Sequence, residues 1–145
     1  MKGGHGFVIE NLPAERAVLG ALVEDDELMT EVLVSGLSAE DFLLSDHQRI
    51  FRAILSLREK KCSVDYITVA EELGNRNSDY ALIGDLIQGV VLHPDHVLHH
   101  VAIVKRKARL RTLLKLGEWI LGSVSDTADP TRLIEQISHW LERCQ

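Results

Sequence analysis

The chain has 145 residues, 46% of them hydrophobic and 26% charged, with a formal net charge of -6. That balance fits one globular domain able to bury its own core, and it excludes a disordered chain and a membrane-embedded one. The acidic sign disfavours a dedicated nucleic-acid binder, which usually carries a basic excess, but it leaves room for a local basic patch.

Almost every segment reads as helix, in chain order. Asn11 precedes "LPAERAVLGALVED", with Pro13 in the first turn and Val18, Leu19 and Leu22 at helical spacing. Gly20 inside this helix costs roughly 1 kcal/mol relative to alanine, and close helix packing is a sufficient reason for it. A short helix fits Glu27 to Val34 and stops at "SG"; Ser38 and Asp41 then form a capping pair before a turn. In "SDHQRIFRAILSLREKK", Ser45 and Gln48 predict a capping box, and Ile50, Phe51, Ile54, Leu55 and Leu57 form one apolar face. Lys60 and Lys61 suit the negative end of that helix dipole. Asp65 caps the next helix and Gly74 ends it; another runs from Ser78 to near Gly89.

From His93 onward the pattern lengthens. Pro94 suits a first helical position, and nothing interrupts the helix until about Gly122 or Ser123, roughly 29 residues or 43 Å. Within it the apolar stripe changes sides: Val97, Val101, Val104 and Ala108 lie on one face, and Leu110, Leu113, Leu114, Ile120 and Leu121 on another. At about 100° per residue, Leu110 lies opposite Val101, so this helix leaves one packing partner and meets a second. A polar turn at "VSDTADP" leads to a last helix from Thr131 to Arg143, with Leu133, Ile134, Ile137, Trp140 and Leu141 on one side. The expected architecture is all-α: a compact multi-helix head over residues 10–92, then a long antiparallel helical hairpin over 93–145. Two helices bury too little to stand alone, so the hairpin needs the head or a second copy of itself.

Chemistry is sparse. GxxxxGK[ST] is absent, as is any Gly-Lys dipeptide, so no catalysis is expected from these residues and no catalytic or cofactor-binding residue is assigned. "HPDHVLHH" sets His96 and His100 one turn apart, with His93 or Asp95 nearby, a spacing that can chelate a metal. Without cysteine partners or a fixed carboxylate, the plainer reading is a histidine-rich helix start, and no metal ligand is assigned. Cys62 and Cys144 stand far apart outside any metal spacing, there is no apolar leader, and no run reaches the roughly 20 apolar residues that span a bilayer. The expectation is a cytoplasmic protein without membrane contact.

Lys105 to Lys115 holds six basic residues and no acid. Three readings stand: a solvated helix face; a surface for acidic partners or a neighbouring subunit, with Lys105, Arg106, Lys107, Arg109 and Arg111 as candidate contacts; or a DNA phosphate site, as in a small DNA-binding regulator. Interleaved exposed aromatics are missing, which argues against a single-strand stacking platform; Trp119 and Trp140 fit packing within the hairpin instead.

"NLPAERAVLGALVED" resembles the opening helix of the N-terminal domain of DnaB-type replicative helicases, which shows an AE-x-AVLGALL pattern; Ala14, Glu15 and Ala17 to Leu22 match it. Asp41 to Leu73 resembles the next segment of that family, with Phe42, His47, Ile50, Phe51, Ala53, Ile54, Leu57, Asp65, Thr68, Val69 and Leu73 in place. "IVKRKARLRTLL" is similar to its IVRERA-x-LR segment. Departures are Lys61 where a glycine is usual, no Gly-Gly before Tyr80, and His100 in place of a tyrosine. The resemblance implies a collar domain that pairs through its hairpin into dimers and a trimer of dimers. It also implies docking of the C-terminal domain of primase, and of a helicase loader, during DNA replication. Carried over by position, the interaction residues are Leu110, Leu113, Leu114, Trp119, Leu121, Ile137 and Trp140. ATP and magnesium would belong to a RecA-like ATPase domain, which this sequence does not contain, so no cofactor is expected here.

Overall fold

Asn11 starts α1 (Leu12–Glu24): its side-chain oxygen accepts the Ala14 N–H at 3.0 Å, while Pro13 occupies a first-turn position that needs no N–H partner. The computed structural model describes residues 8–88 and 96–144, and among these are seven α-helices, one 3-10 turn and no strand. α2 (Leu28–Val34) ends at Gly36, whose φ of +86° suits glycine. The 3-10 turn Ala39–Asp41 follows, and the Asp41 carboxylate accepts the Ser38 N–H at 2.9 Å, the return half of the expected cap.

α3 (Ser45–Glu59) corrects the expected capping box. Ser45 is already helical, extended Leu44 is the cap residue, and the Gln48 amide donates instead to the Phe42 carbonyl at 2.8 Å. The glutamine thus ties the helix to buried Phe42 in the loop before it. The face of α3 is as expected, with Ile50, Phe51, Ile54 and Leu57 buried and Leu55 at its edge, and Ala53 and His47 join it. At the far end the Lys61 N–H bonds to the Arg58 carbonyl at 3.0 Å and the Cys62 N–H to that of Leu57 at 2.9 Å, a Schellman closure. Lys61 therefore sits at φ +57°, left-handed, at the position where the resembled family usually has glycine. Lys61→Gly is expected to stabilise the protein by about 0.5–1 kcal/mol, since relief of about 1–2 kcal/mol of left-handed strain exceeds glycine's added unfolded-state entropy. Calorimetry should show a thermal midpoint about 2–4 °C higher. An unchanged or lower midpoint would refute the strain argument.

α4 (Tyr66–Leu73) opens on Asp65, which accepts the Ile67 and Thr68 N–H groups, both at 2.9 Å, and closes on Gly74 at φ +144°. α5 (Asn77–Ile87) begins one residue earlier than expected. Its buried Asp79 reaches back to the Arg76 N–H at 3.1 Å and Nε at 3.0 Å. The hydrogen-bonded Arg76 side chain, helped by the Arg76 N–H and by Arg49, holds the Asp79 carboxyl below its usual range against the opposing effect of burial. Tyr66 donates to the Tyr80 carbonyl at 3.0 Å, locking α4 to α5, and this pair packs on α3 through α4.

α6 (Val97–Ser123) and α7 (Pro130–Cys144) complete the chain. Val97, Val101, Val104 and Ala108 are buried along one face, as their spacing predicts, and α6 lies against α1. Burying each valine contributes about 1.5–3 kcal/mol relative to exposure. The expected helix start at Pro94 and the expected boundary between residues 92 and 93 lie outside the described residues. The first half of α6 is therefore part of the head core, and its second half carries α7. The head also encloses one ionisable pair. Glu15 Oε1 lies 2.8 Å from His47 Nδ1, and Oε2 accepts the Leu43 N–H at 2.9 Å, joining α1 to α3 and to the loop before it.

Candidate protein-interaction surface

The apolar stripe of α6 changes sides, and its second part is not covered by α7. Leu113 is 48% exposed, Leu114 45% and Leu121 83%, while Leu110 and Ile120 are half-buried. α7 instead lies on the flank carrying Leu116 and Trp119. Leu116 is buried, a contact that the sequence reading missed; its signal was the four-residue row Val104, Ala108, Thr112, Leu116, interrupted only by threonine. Trp119 and Trp140 meet with ring centroids 5.9 Å apart at 53°. Side chains tilt toward their own helix N-terminus, so in an antiparallel pair these two lean toward each other. Ile137 is half-buried on the inner side of α7, whereas Ile134 and Leu141 are exposed, and no residue of α7 is fully buried. The hairpin thus presents leucines and isoleucines to solvent on both helices.

The five candidate contacts in the basic window divide into two groups. Lys105 donates from Nζ to the Ser35 carbonyl, where a cation suits the C-terminal end of α2. Arg111 donates to the Ile9 carbonyl at 2.9 Å and the Asp41 carbonyl at 2.7 Å, clasping the N-terminal segment and the 3-10 turn to α6. These two candidate partner contacts therefore face the head. Arg106, Lys107 and Arg109 have no hydrogen-bond or ion-pair partner among the described residues, and they remain for an outside anion. One groove of about 700 Å³ runs between the loop after α2, the middle of α6 and the end of α7, with Arg109, Trp140 and Arg143 in its wall.

His93 and Asp95 lie outside the described residues. The His96 and His99 rings approach to 6.3 Å, and His100 is half-buried one turn on from His96. Among the described residues no group of three His, Cys, Asp or Glu side chains could hold a metal ion, and no helix is long and apolar enough to cross a membrane.

The model of the DnaB-like helicase N terminal domain matches residues 9–106, the head and the first part of α6. The replicative DNA helicase DnaB of Rhodothermus marinus is 34% identical over 129 residues, covering 85% of this chain and 13% of that protein. The DnaB helicase of Treponema pallidum (strain Nichols) is 32% identical over 131 residues, covering 86% of this chain and 30% of that protein. The chain thus spans less than a third of the length of either relative. Among solved structures, the N-terminal domain of DnaB helicase from Mycobacterium tuberculosis superposes with a TM-score of 0.82 at 26% identity, over 94% of this chain and 99% of that one, hairpin included. A DnaB-like replicative helicase, described together with its interactions with primase, shares the fold at a TM-score of 0.72 and 22% identity, over 93% of this chain and 32% of that one. The head packing, the hairpin behind it and the family match over residues 9–106 together establish that this chain belongs to the DnaB-like helicase N-terminal domain family.

Proposed function

We propose that this chain acts as the N-terminal collar domain of a replicative DNA helicase, assembling subunits through its hairpin and docking primase during DNA replication in the cytoplasm. The observation that carries the reading is the uncovered stripe of α6, Leu110, Leu113, Leu114 and Leu121, on a helix whose opposite face is already buried in the head. An amphipathic helix pair with apolar residues facing water is stabilised by a partner, and a second copy of the same hairpin supplies a matching surface. Dimers follow from that pairing, and a ring of three dimers joins them through a second interface. The C-terminal domain of primase and a helicase loader are the partners assigned to the assembled collar; one fold neighbour is described with primase. Strand separation, ATP and magnesium belong to a RecA-like ATPase domain, and these residues carry no catalytic step.

The test is a calorimetric titration with the C-terminal domain of primase from the same organism, with mass measured by light scattering on the same sample. Dimers or larger species that bind primase in the micromolar range or tighter are expected. A monomer at high concentration would overturn the pairing, and a well-folded dimer that ignores primase would overturn the docking.

A further inference from the structure

Most of the charged side chains in the groove between head and hairpin are already engaged. Glu40 pairs with Arg52 at 3.1 Å and, with its backbone hydrogen bond as the larger cause, is held below the usual carboxylate range. The Asp41 carboxylate accepts the Ser38 N–H, and Lys105 caps the Ser35 carbonyl. Arg109 of α6 and Arg143 of α7 are the exceptions: both are exposed, both line the groove, and neither has a hydrogen-bond or ion-pair partner among the described residues. Between these two helices stands half-buried Trp140, one side of its ring against Trp119.

We infer that this groove binds a carboxylate-rich segment of a protein partner, whose Asp or Glu side chains pair with Arg109 and Arg143 while an apolar side chain lies against Trp140. Guanidinium forks match carboxylates in two parallel hydrogen bonds, and neither of these two is taken up by an acid of the facing wall. A peptide fits better than a nucleic acid. A duplex or single strand presents an unbroken row of phosphates, whereas the groove offers two separated guanidinium groups, and no row of exposed aromatics is present among the described residues to stack bases. On α6 the site borders the apolar stripe proposed for pairing, with Arg109 one turn before Leu113, and on α7 it turns away from the exposed apolar flank. On α7, at about 100° per residue, Arg143 lies about 180° around the helix from exposed Ile134. Its occupancy does not depend on the pairing or on primase.

The probe is a labelled peptide rich in Asp and Glu with one central Phe, titrated into the 145-residue chain at low salt, then at higher salt. Fluorescence of the two tryptophans is followed alongside. Saturable binding that perturbs the emission and weakens with salt is expected. Arg109→Ala and Arg143→Ala should each weaken it several-fold, about tenfold at low salt, since each removes a two-pronged charge-assisted pair. Both residues are exposed, so thermal midpoint and light-scattering mass of the variants should match the parent, which separates loss of the groove from loss of folding or pairing. The inference is overturned by no binding of the acidic peptide, by equal binding of a Lys-rich peptide, by unchanged affinity in both variants, or by tighter binding of a single-stranded or duplex oligonucleotide.

Discussion

Glu15→Ala is expected to cost about 3–5 kcal/mol, because it removes one member of a buried ionisable pair and leaves the other without a partner. A domain of this size holds about 5–15 kcal/mol in total, so the variant should be marginal. Glu15 is 1% exposed and His47 5%. Its two carboxylate oxygens serve two different segments, the His47 ring and the Leu43 N–H, so alanine strands both at once. Among the described residues no buried side-chain nitrogen or oxygen lacks a partner, and the alanine variant would break that condition in the middle of the head. Urea unfolding followed by circular dichroism should show a midpoint about 1.5–2.5 M lower at a slope of about 2 kcal/mol/M. Glu15→Gln separates shape from charge. Its carbonyl can accept the Leu43 N–H while its amide donates to His47 Nδ1, with the imidazole proton on Nε2, so the loss should fall to about 1–2 kcal/mol. An alanine variant within about 1 kcal/mol of the parent would mean that the pair does not hold α1 against α3.

What was legible in the sequence was local. Asn11 and Asp65 declare helix starts because a short oxygen-bearing side chain satisfies N–H groups two or three residues on, within its own segment. Val97, Val101, Val104 and Ala108 declare a buried face because helical period alone puts them together. The cap at Ser45 was misread because a glutamine amide has more than one carbonyl within reach, and sequence does not say which is nearer. Lys105 and Arg111 read as surface charge, yet their partners Ser35, Asp41 and Ile9 are 70 and 102 positions away. No periodicity encodes such pairings. The side of α6 on which α7 settles was equally hidden: both flanks carry leucines, and the choice of the Leu116 and Trp119 flank left the other for water.

That choice gives the second large effect. Leu121→Glu is expected to weaken the proposed self-association by at least about a hundredfold while leaving the single chain intact. Leu121 is 83% exposed, and glutamate forms helix about as well as leucine, so the stability of the monomer should change by no more than about 0.5 kcal/mol. In a two-fold symmetric pair the change occurs on both copies. A leucine contributes about 1.5–3 kcal/mol on full burial, hence about 3–6 kcal/mol per dimer before any charge is desolvated. Gly117 lies in the same stripe with nothing within 4 Å of an added Cβ, and a helical glycine there costs about 0.8–1 kcal/mol relative to alanine. Gly117→Ala should therefore raise the thermal midpoint of the monomer, yet weaken association if the two α6 backbones cross at that point. Sedimentation velocity over a concentration series reads both variants. A Leu121→Glu chain that keeps the parent's mass at every concentration would move the interface away from the back of α6, to the exposed flank of α7 that carries Ile134 and Leu141.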